Sequence, residues 1–306
     1  MTSNDSNTLE LSLLIPTYGR SEVVSALLKR LAEQTLDANK FEVVVVDDGS
    51  EIPIEIDASD YPFPLELLRQ ENAGPASARN TGLRHCRAPL TLILNDDAVP
   101  APDLCEQHLV AHATLKEKGR EKCAVLGTFT FDEESLQSPF TQVLADSDLL
   151  FSFNQLQDRN LFNWHFFWTC NISLTTEALR EVNGFDEELF DRALCEDVEL
   201  GYRLEKNGYR VLHWAAARCE HHHALSPESY RARSRNLGKY IARMYTKHED
   251  KSLLWAYSAG RKLRDYLAQV QMTCENLFGA EEKFYARASQ FETERWGQRL
   301  STEHLE

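Results

Sequence analysis

Three short acidic clusters occur in order along the chain: Asp47-Asp48, Asp96-Asp97 and Glu196-Asp197. Each ends or follows an apolar run, and His221-His222-His223 comes after the last. Carboxylates at the C-terminal ends of buried strands form a ligand site, because the crevice of an open α/β sheet lies there. Such groups divide three tasks: accepting hydrogen bonds from a base or ribose, holding a hard metal ion, and removing a proton. Transfer from a nucleotide-activated donor needs all three. Each cluster has a plainer reading as well. Asp47-Asp48-Gly49-Ser50 suits a turn, Asp96-Asp97 could cap the next segment, and Glu196-Asp197 suits the positive end of a helix. Alternate residues of an extended segment point the same way, so His221 and His223 could share a face with His222 opposed. An ordinary polar loop is the alternative. There is no HExxH or Cys/His zinc spacing.

The elements that must position these groups are legible as hydrophobic periodicity. Short apolar runs at residues 11–15, 41–46, 65–69 and 90–94 read as strands. Residues 22–34 carry Val23, Val24, Leu27, Leu28 and Leu31 at helical spacing. Residues 75–86, with Pro75 in a tolerated first turn, and 103–118 read as two further helices. Strands alternating with helices predict an α/β fold, Rossmann-like, with a mostly parallel central sheet covered by helices on both faces. An aromatic-rich middle spans residues 129–168; Trp164 and Trp168 are candidates for an acceptor site, although core packing is the commoner fate of such rings. A strand at 169–174, a helix at 176–182 closed by Asn183-Gly184, a helix at 197–207 and a strand at 210–214 follow. From Pro227 the pattern is helical, over 230–247, 252–277 and 281–300. This tail could pack on the core, form a homo-oligomer, or make peripheral contact with a membrane.

A chain of 306 residues with 42% hydrophobic and 26% charged residues is an ordinary globular protein with ample core. Its net charge of −15 argues against a nucleic-acid partner, despite a basic strip at Arg231, Arg233, Arg235, Lys239 and Arg243. Seven scattered cysteines without a CxxC pair suggest buried free thiols in a reducing compartment. The polar residues 1–9 lack a signal pattern and no apolar run approaches a membrane span, so the expected location is cytoplasmic, with peripheral contact at the inner membrane face left open.

Six segments taken in order resemble the successive motifs of family-2 glycosyltransferases with the GT-A fold. They are Leu14-Ile15-Pro16-Thr17-Tyr18-Gly19-Arg20, Val43-Val44-Val45-Val46-Asp47-Asp48-Gly49-Ser50, Asn72-Ala73-Gly74-Pro75-Ala76-Ser77-Ala78-Arg79-Asn80, Leu94-Asn95-Asp96-Asp97, Asn183-Gly184-Phe185-Asp186-Glu187-Glu188, and the run from Cys195 to Leu204. The second half is also similar to galactosyltransferase-like and chondroitin-polymerase-like enzymes. The resemblance covers about residues 10–245 and implies a donor half at about 10–100, an acceptor half at 101–245 and a helical extension at 246–306. It implies a metal-dependent, inverting transfer from a nucleotide-diphosphate sugar, a UDP-sugar first, to a hydroxyl of a glycan or other acceptor. By this resemblance Asp48, with Asp47 beside it, contacts the base, flanked by Pro16, Thr17 and Tyr18, and Arg20 is a weaker donor contact. Arg79 and Asn80 border the nucleotide. Asp96 faces the ribose or donor sugar. Asp97 holds Mn²⁺ or Mg²⁺ with His221, and His223 is a further metal candidate. Asp197 is the general base, with Glu196 orienting hydroxyls. Asn95 replaces the first Asp of a strict DxD. Two other classes stand beside this one: a non-catalytic sugar-nucleotide-binding module, and a sugar nucleotidyltransferase. The second would carry a glycine-rich loop after its first strand, where this chain has Pro16-Thr17-Tyr18-Gly19-Arg20.

Overall fold

The computed structural model describes residues 8–146, 150, 151, 153, 156–190, 194–222 and 226–250. His223 and the helices expected at 252–277 and 281–300 lie outside the described residues. The described chain groups into two units, one of residues 8–129 and 158–221, the other of 130–146, 150, 151, 153, 156, 157, 222 and 226–250.

The first unit is built on β1 (Leu11–Thr17), β2 (Phe41–Asp47), β3 (Leu65–Arg69) and β4 (Leu90–Leu94). They lie parallel in the order β3-β2-β1-β4. The run Val43-Val44-Val45-Val46 is wholly buried, as is Leu13-Leu14-Ile15. Strands buried on both faces read as continuous apolar runs rather than alternating ones. Each such side chain contributes about 1.5–3 kcal/mol on burial. Between them run α1 (Ser21–Leu31), which buries the stripe Val24, Leu27, Leu28 and Leu31, and α2 (Pro75–His85). Helix α2 lies close against the sheet at Gly82, where a Cβ would come within 2.2 Å of Leu14 Cδ1.

Beyond β4 the pairing changes sense. The remaining strands are β5 (Ala98–Pro100), β6 (Cys123–Phe131), β7 (Leu161–Phe162), β8 (Asn171–Thr175) and β9 (Arg210–His221). The order continues β4-β8-β6-β9-β5, with β7 also on β9. The pairs β4–β8, β6–β8, β5–β9 and β7–β9 are antiparallel. The parallel arrangement expected from the alternating pattern therefore describes the first half. Helices α3 (Leu104–Glu117), α5 (Thr176–Glu181) and α6 (Glu196–Lys206) complete this unit. The second unit holds α4 (Pro139–Asp146) and α7 (Pro227–His248). Helix α7 starts with Pro227 after a reciprocal Ser226–Ser229 capping box. It runs through residue 245, where the sequence suggested the extension would begin. No helix among the described residues is long and apolar enough to cross a membrane.

A buried polar chain ties α3 to the sheet. His108 contacts Ser173 Oγ at 2.8 Å and Asn171 Oδ1 at 2.9 Å, and His112 contacts the same Ser173 Oγ at 2.9 Å. The Asn171 amide then donates to the carbonyls of Thr128 and Ala217. Three strands and a helix are thus cross-linked beneath the edge where β4 ends. Burial pushes the His108 imidazole down to about 4. His112, half-buried at its surface, is pushed down by burial and then by His108.

These histidines fold in the neutral form, while in the unfolded chain they bind protons below about pH 6.5. Acid therefore favours the unfolded state, and the stabilisation present above about pH 6.5 is lost as pH falls toward about 4. The urea midpoint should drop between pH 7.5 and 5.0. In His108→Gln the midpoint should be lower at pH 7.5 but change less over that range.

Candidate functional site

The parallel order puts the C-terminal ends of β2, β1 and β4 side by side, with β1 between. Thr17, Asp47 and the Asn95-Asp96-Asp97 segment therefore share one edge of the sheet. Strand β8 runs opposite to β4, and its first residue, Asn171, pairs with Leu94. Cys170 comes to the same edge in this way. The last residue of β9, His221, pairs with Ala98, the first of β5. That register brings an imidazole from 124 residues away to Asp97, at 3.3 Å between Nε2 and Oδ2.

Asp47 and Asp48 have different surroundings. The Asp47 carboxylate, 1% exposed, accepts from the Ser50 N–H and hydroxyl, the Ile54 N–H and Arg69. Burial pushes this carboxyl up, but those donors, Ser50 first, bring it below its ordinary value. Its partners are those of a folded turn. Asp48 accepts on Oδ1 from Gln70 Nε2 (2.7 Å) and the Ala73 N–H (3.0 Å), and on Oδ2 from the Gly74 N–H (2.9 Å). The Gln70 amide is itself oriented by the Thr81 hydroxyl. Asp48 is thus the anion at the turn entering α2, where the free N–H groups favour negative charge. A carboxylate has about four acceptor sites, so a fourth remains for a ligand N–H. Pro16 is half-buried, and the Tyr18 ring, 50% exposed, stands at the end of β1.

Arg79 and Asn80 face inward. Arg79 Nη1 donates to Glu196 Oε1 at 2.7 Å, and both side chains are 4% exposed. Asn80 accepts from the Phe185 N–H, and its amide donates to the Phe185 carbonyl and to Glu187, each at 2.8 Å. Gly184 adopts φ +62°, and a Cβ there would lie 2.3 Å from Asn80 Oδ1. The Ala-Arg-Asn and Asn-Gly-Phe-Asp-Glu segments are two halves of one joint. Arg203 adds to it, donating to the carbonyls of Val182 and Gly184 while paired with the buried Glu199 one turn back. Sequence reading missed Gln70, Thr81 and Arg203. Only the four-residue spacing of Glu199 and Arg203 signalled a pair.

The carboxylates at the end of β4 are 7% and 8% exposed. Asp96 accepts from Thr17 Oγ1 at 2.8 Å, and Arg20 Nη1 bridges Asp96 Oδ1 (3.0 Å) and Asp97 Oδ2 (2.9 Å). Burial is the main cause that raises the Asp96 carboxyl; Arg20 opposes it and Asp97 adds to it. Burial also pushes Asp97 up, but His221 and Arg20 bring it below its ordinary value. Asp97 Oδ1 is buried and has no hydrogen-bond partner among the described residues. A bare buried carboxylate oxygen beside an imidazole fits a hard divalent cation. Among the described residues no three His, Cys, Asp or Glu side chains cluster as a complete cage.

Glu196 and Asp197 open α6, after Cys195 at φ +71°. Glu196 is 3% exposed and its Oε2 has no partner among the described residues, whereas Asp197 is half-buried and takes the Val198 N–H on Oδ1. The Cys170 thiol is raised far above its ordinary value, by burial first and then by the fields of Asp197 and Asp97. Trp164 and Trp168 are 8% and 9% exposed and pack on Tyr202 and Phe166.

The family model described as glycosyl transferase family 2 matches residues 12–182, more than half of the sequence. The chain belongs to glycosyltransferase family 2. Validoxylamine A glucosyltransferase of Streptomyces hygroscopicus subsp. jinggangensis is 33% identical over 229 residues, 65% of this chain and 52% of the relative. Chondroitin synthase of Pasteurella multocida is 29% identical over 265 residues, 76% of this chain and 26% of that protein. This family 2 chain spans about half the length or less of several curated relatives it matches. Its fold is that of solved GT-A enzymes. The mannosyltransferase PcManGT of Pyrobaculum calidifontis, in complex with GDP-Man and Mn²⁺, gives a TM-score of 0.56 at 18% identity over 96% of this chain and 89% of that one. S. aureus TarS 1-349 in complex with UDP gives 0.55 at 17% identity over 95% and 92%.

Breaking a buried ion pair by removing one partner costs about 3–5 kcal/mol. Arg79→Met should lower unfolding free energy by about that much in urea titrations, because Glu196 stays buried without its cation. Arg79→Met combined with Glu196→Gln should recover part of the loss.

Proposed function

We propose that this chain transfers a sugar from a nucleoside-diphosphate sugar, a UDP-sugar first, to a hydroxyl of a glycan or other acceptor, with inversion at the anomeric carbon and with Mn²⁺ or Mg²⁺. The observation that carries it is the placing of Asp48 and of Asp96-Asp97 with His221 along one sheet edge, and Glu196-Asp197 at the start of α6, tied to α2 through Arg79, supports it. Family membership, with relatives named as a glucosyltransferase and a chondroitin synthase, supports the reading.

In this reading Asp48 accepts the imide N–H of the base through its remaining site, and Tyr18 offers a ring face to stack on. Pro16 and Thr17 flank the base with backbone atoms, and Thr17 also holds Asp96 toward ribose or donor sugar. Asp47, Asn80 and the Arg79–Glu196 pair frame the site. Asp97 and His221 would hold the cation, which when bound would neutralise the charge growing on the diphosphate. Solved structures of similar fold that contain Mn²⁺ support a divalent ion. Asp197 takes the proton of the acceptor hydroxyl as its oxygen attacks the anomeric carbon. The bond to the diphosphate oxygen breaks, and the electron pair leaves with the nucleoside diphosphate. Glu196 offers its unpartnered Oε2 to a sugar hydroxyl. Attack opposite the leaving group inverts the configuration.

A panel of sugar nucleotides with Mn²⁺, read by released nucleoside diphosphate, tests this. One UDP-sugar should be turned over by the wild type and not by Asp97→Ala. Asp197→Asn should keep donor binding by calorimetry and lose about 10²–10⁴-fold in turnover. Near-wild-type turnover in Asp197→Asn would overturn the base assignment, and tight UDP binding with no turnover in any variant or acceptor mixture would favour a non-catalytic binding module.

A further inference from the structure

We infer that Arg20 is an internal counter-ion that competes with the divalent cation for Asp97, and that it yields when a donor diphosphate arrives to receive its guanidinium. Cation and donor would then bind as a pair. This rests on the metal site proposed above.

The geometry is specific. A single nitrogen, Arg20 Nη1, bridges Asp96 Oδ1 at 3.0 Å and Asp97 Oδ2 at 2.9 Å. That same Asp97 Oδ2 lies 3.3 Å from His221 Nε2. The guanidinium and the imidazole meet on the carboxylate that would also take the cation. The three side chains differ in freedom. Counting side-chain atoms alone, Asp96 and Asp97 are 10% and 9% exposed, while Arg20 is 41% exposed. The carboxylates are buried, and the arginine side chain is partly exposed to solvent.

Asp96 keeps a partner if the arginine leaves, because Thr17 Oγ1 donates to its other oxygen. Asp97 would not lack compensation either, since a divalent cation replaces one positive charge by two. A guanidinium at hydrogen-bond distance from a carboxylate that also binds such a cation is repelled by it. A diphosphate offers paired anionic oxygens that match the planar fork. Arg20 sits directly before the first turn of α1, a second favourable place for an anion. If Arg20 were only a brace holding two carboxylates together, its removal would loosen the ligands and weaken cation binding. A competitor predicts the opposite sign.

The experiment is a Mn²⁺ titration of the full chain, with free ion read by electron paramagnetic resonance, without and with UDP. Wild type should bind Mn²⁺ weakly alone and at least about tenfold more tightly with UDP, a usual size for coupling between two ligands. Arg20→Gln should bind Mn²⁺ alone more tightly than wild type, by about tenfold, and gain less from UDP. Unchanged or weaker binding of Mn²⁺ alone by Arg20→Gln overturns the inference. If that variant does not fold, Arg20→Lys decides, since it keeps a cation but loses the fork. Its gain from UDP should shrink, and an undiminished gain overturns the inference. Asp97→Ala separates the two levels. Should it bind Mn²⁺ with UDP as well as wild type does, the metal site itself is misplaced and the inference falls with it. Should it lose binding while Arg20→Gln behaves as wild type, the inference alone fails.

Discussion

Negative charge buried at the ends of strands is the constraint around which this site is arranged. Asp47, Asp48, Asp96, Asp97 and Glu196 are each at most 8% exposed. A carboxylate taken out of water without compensation costs several kcal/mol or loses its charge. Each one here meets its own set of donors: a turn and Arg69 for Asp47, a helix entrance and Gln70 for Asp48, Thr17 and Arg20 for Asp96, Arg20 and His221 for Asp97, Arg79 for Glu196. Those donors come from β1, α2, β3 and β9 and from the turns beside them. Meeting the electrostatic demand therefore fixes where these elements lie relative to one another. Two oxygens, Asp97 Oδ1 and Glu196 Oε2, stay without a protein partner among the described residues, and they are the places where a ligand has most to contribute.

Much of this could be read from the sequence, and the physical reason is visible element by element. Parallel strands covered on both faces must be apolar throughout, so Val43-Val44-Val45-Val46 and Leu13-Leu14-Ile15 announce themselves. Helix α1 shows its buried stripe, and α2 shows its entrance at Gly74-Pro75. The antiparallel half was less legible. Strand β5 has three residues, too few for any period. Strand β9 was expected to end near Trp214 and continues to His221, because its second half pairs with β5 and not with anything near in sequence. The contact between Asp97 and His221 is a product of that pairing, so geometry was needed to see it; the family resemblance alone pointed to the histidine.

Roles were harder to read than positions. Asp47 and Asp48 are adjacent and chemically identical, yet one closes a turn and the other keeps an acceptor site. Arg79 and Asn80 are candidates to border a nucleotide, and in the structure Arg79 Nη1 meets Glu196 while the Asn80 amide meets Phe185 and Glu187. Such assignments depend on which direction a side chain takes from a helix, and one residue of rotation about α2 changes the answer by about 100°. The joint they form carries a second consequence for packing. The α6 helix that bears Asp197 is located by contacts from α2 and from the carbonyls after α5.

The register of β9 works as an address. Successive side chains along a strand alternate between faces, so a shift of one position exchanges every inward residue for its outward neighbour. His221 meets Asp97 only because Ala98 pairs with it and not with Glu220 or His222. A one-residue insertion in β9 would leave length, composition and strand propensity almost untouched, yet it would deliver a different side chain to the carboxylate. Two inserted residues would restore the parity while changing the identity again. Substituting an outward residue of β9 leaves that address intact, whereas changing the number of residues between Arg210 and His221 rewrites it.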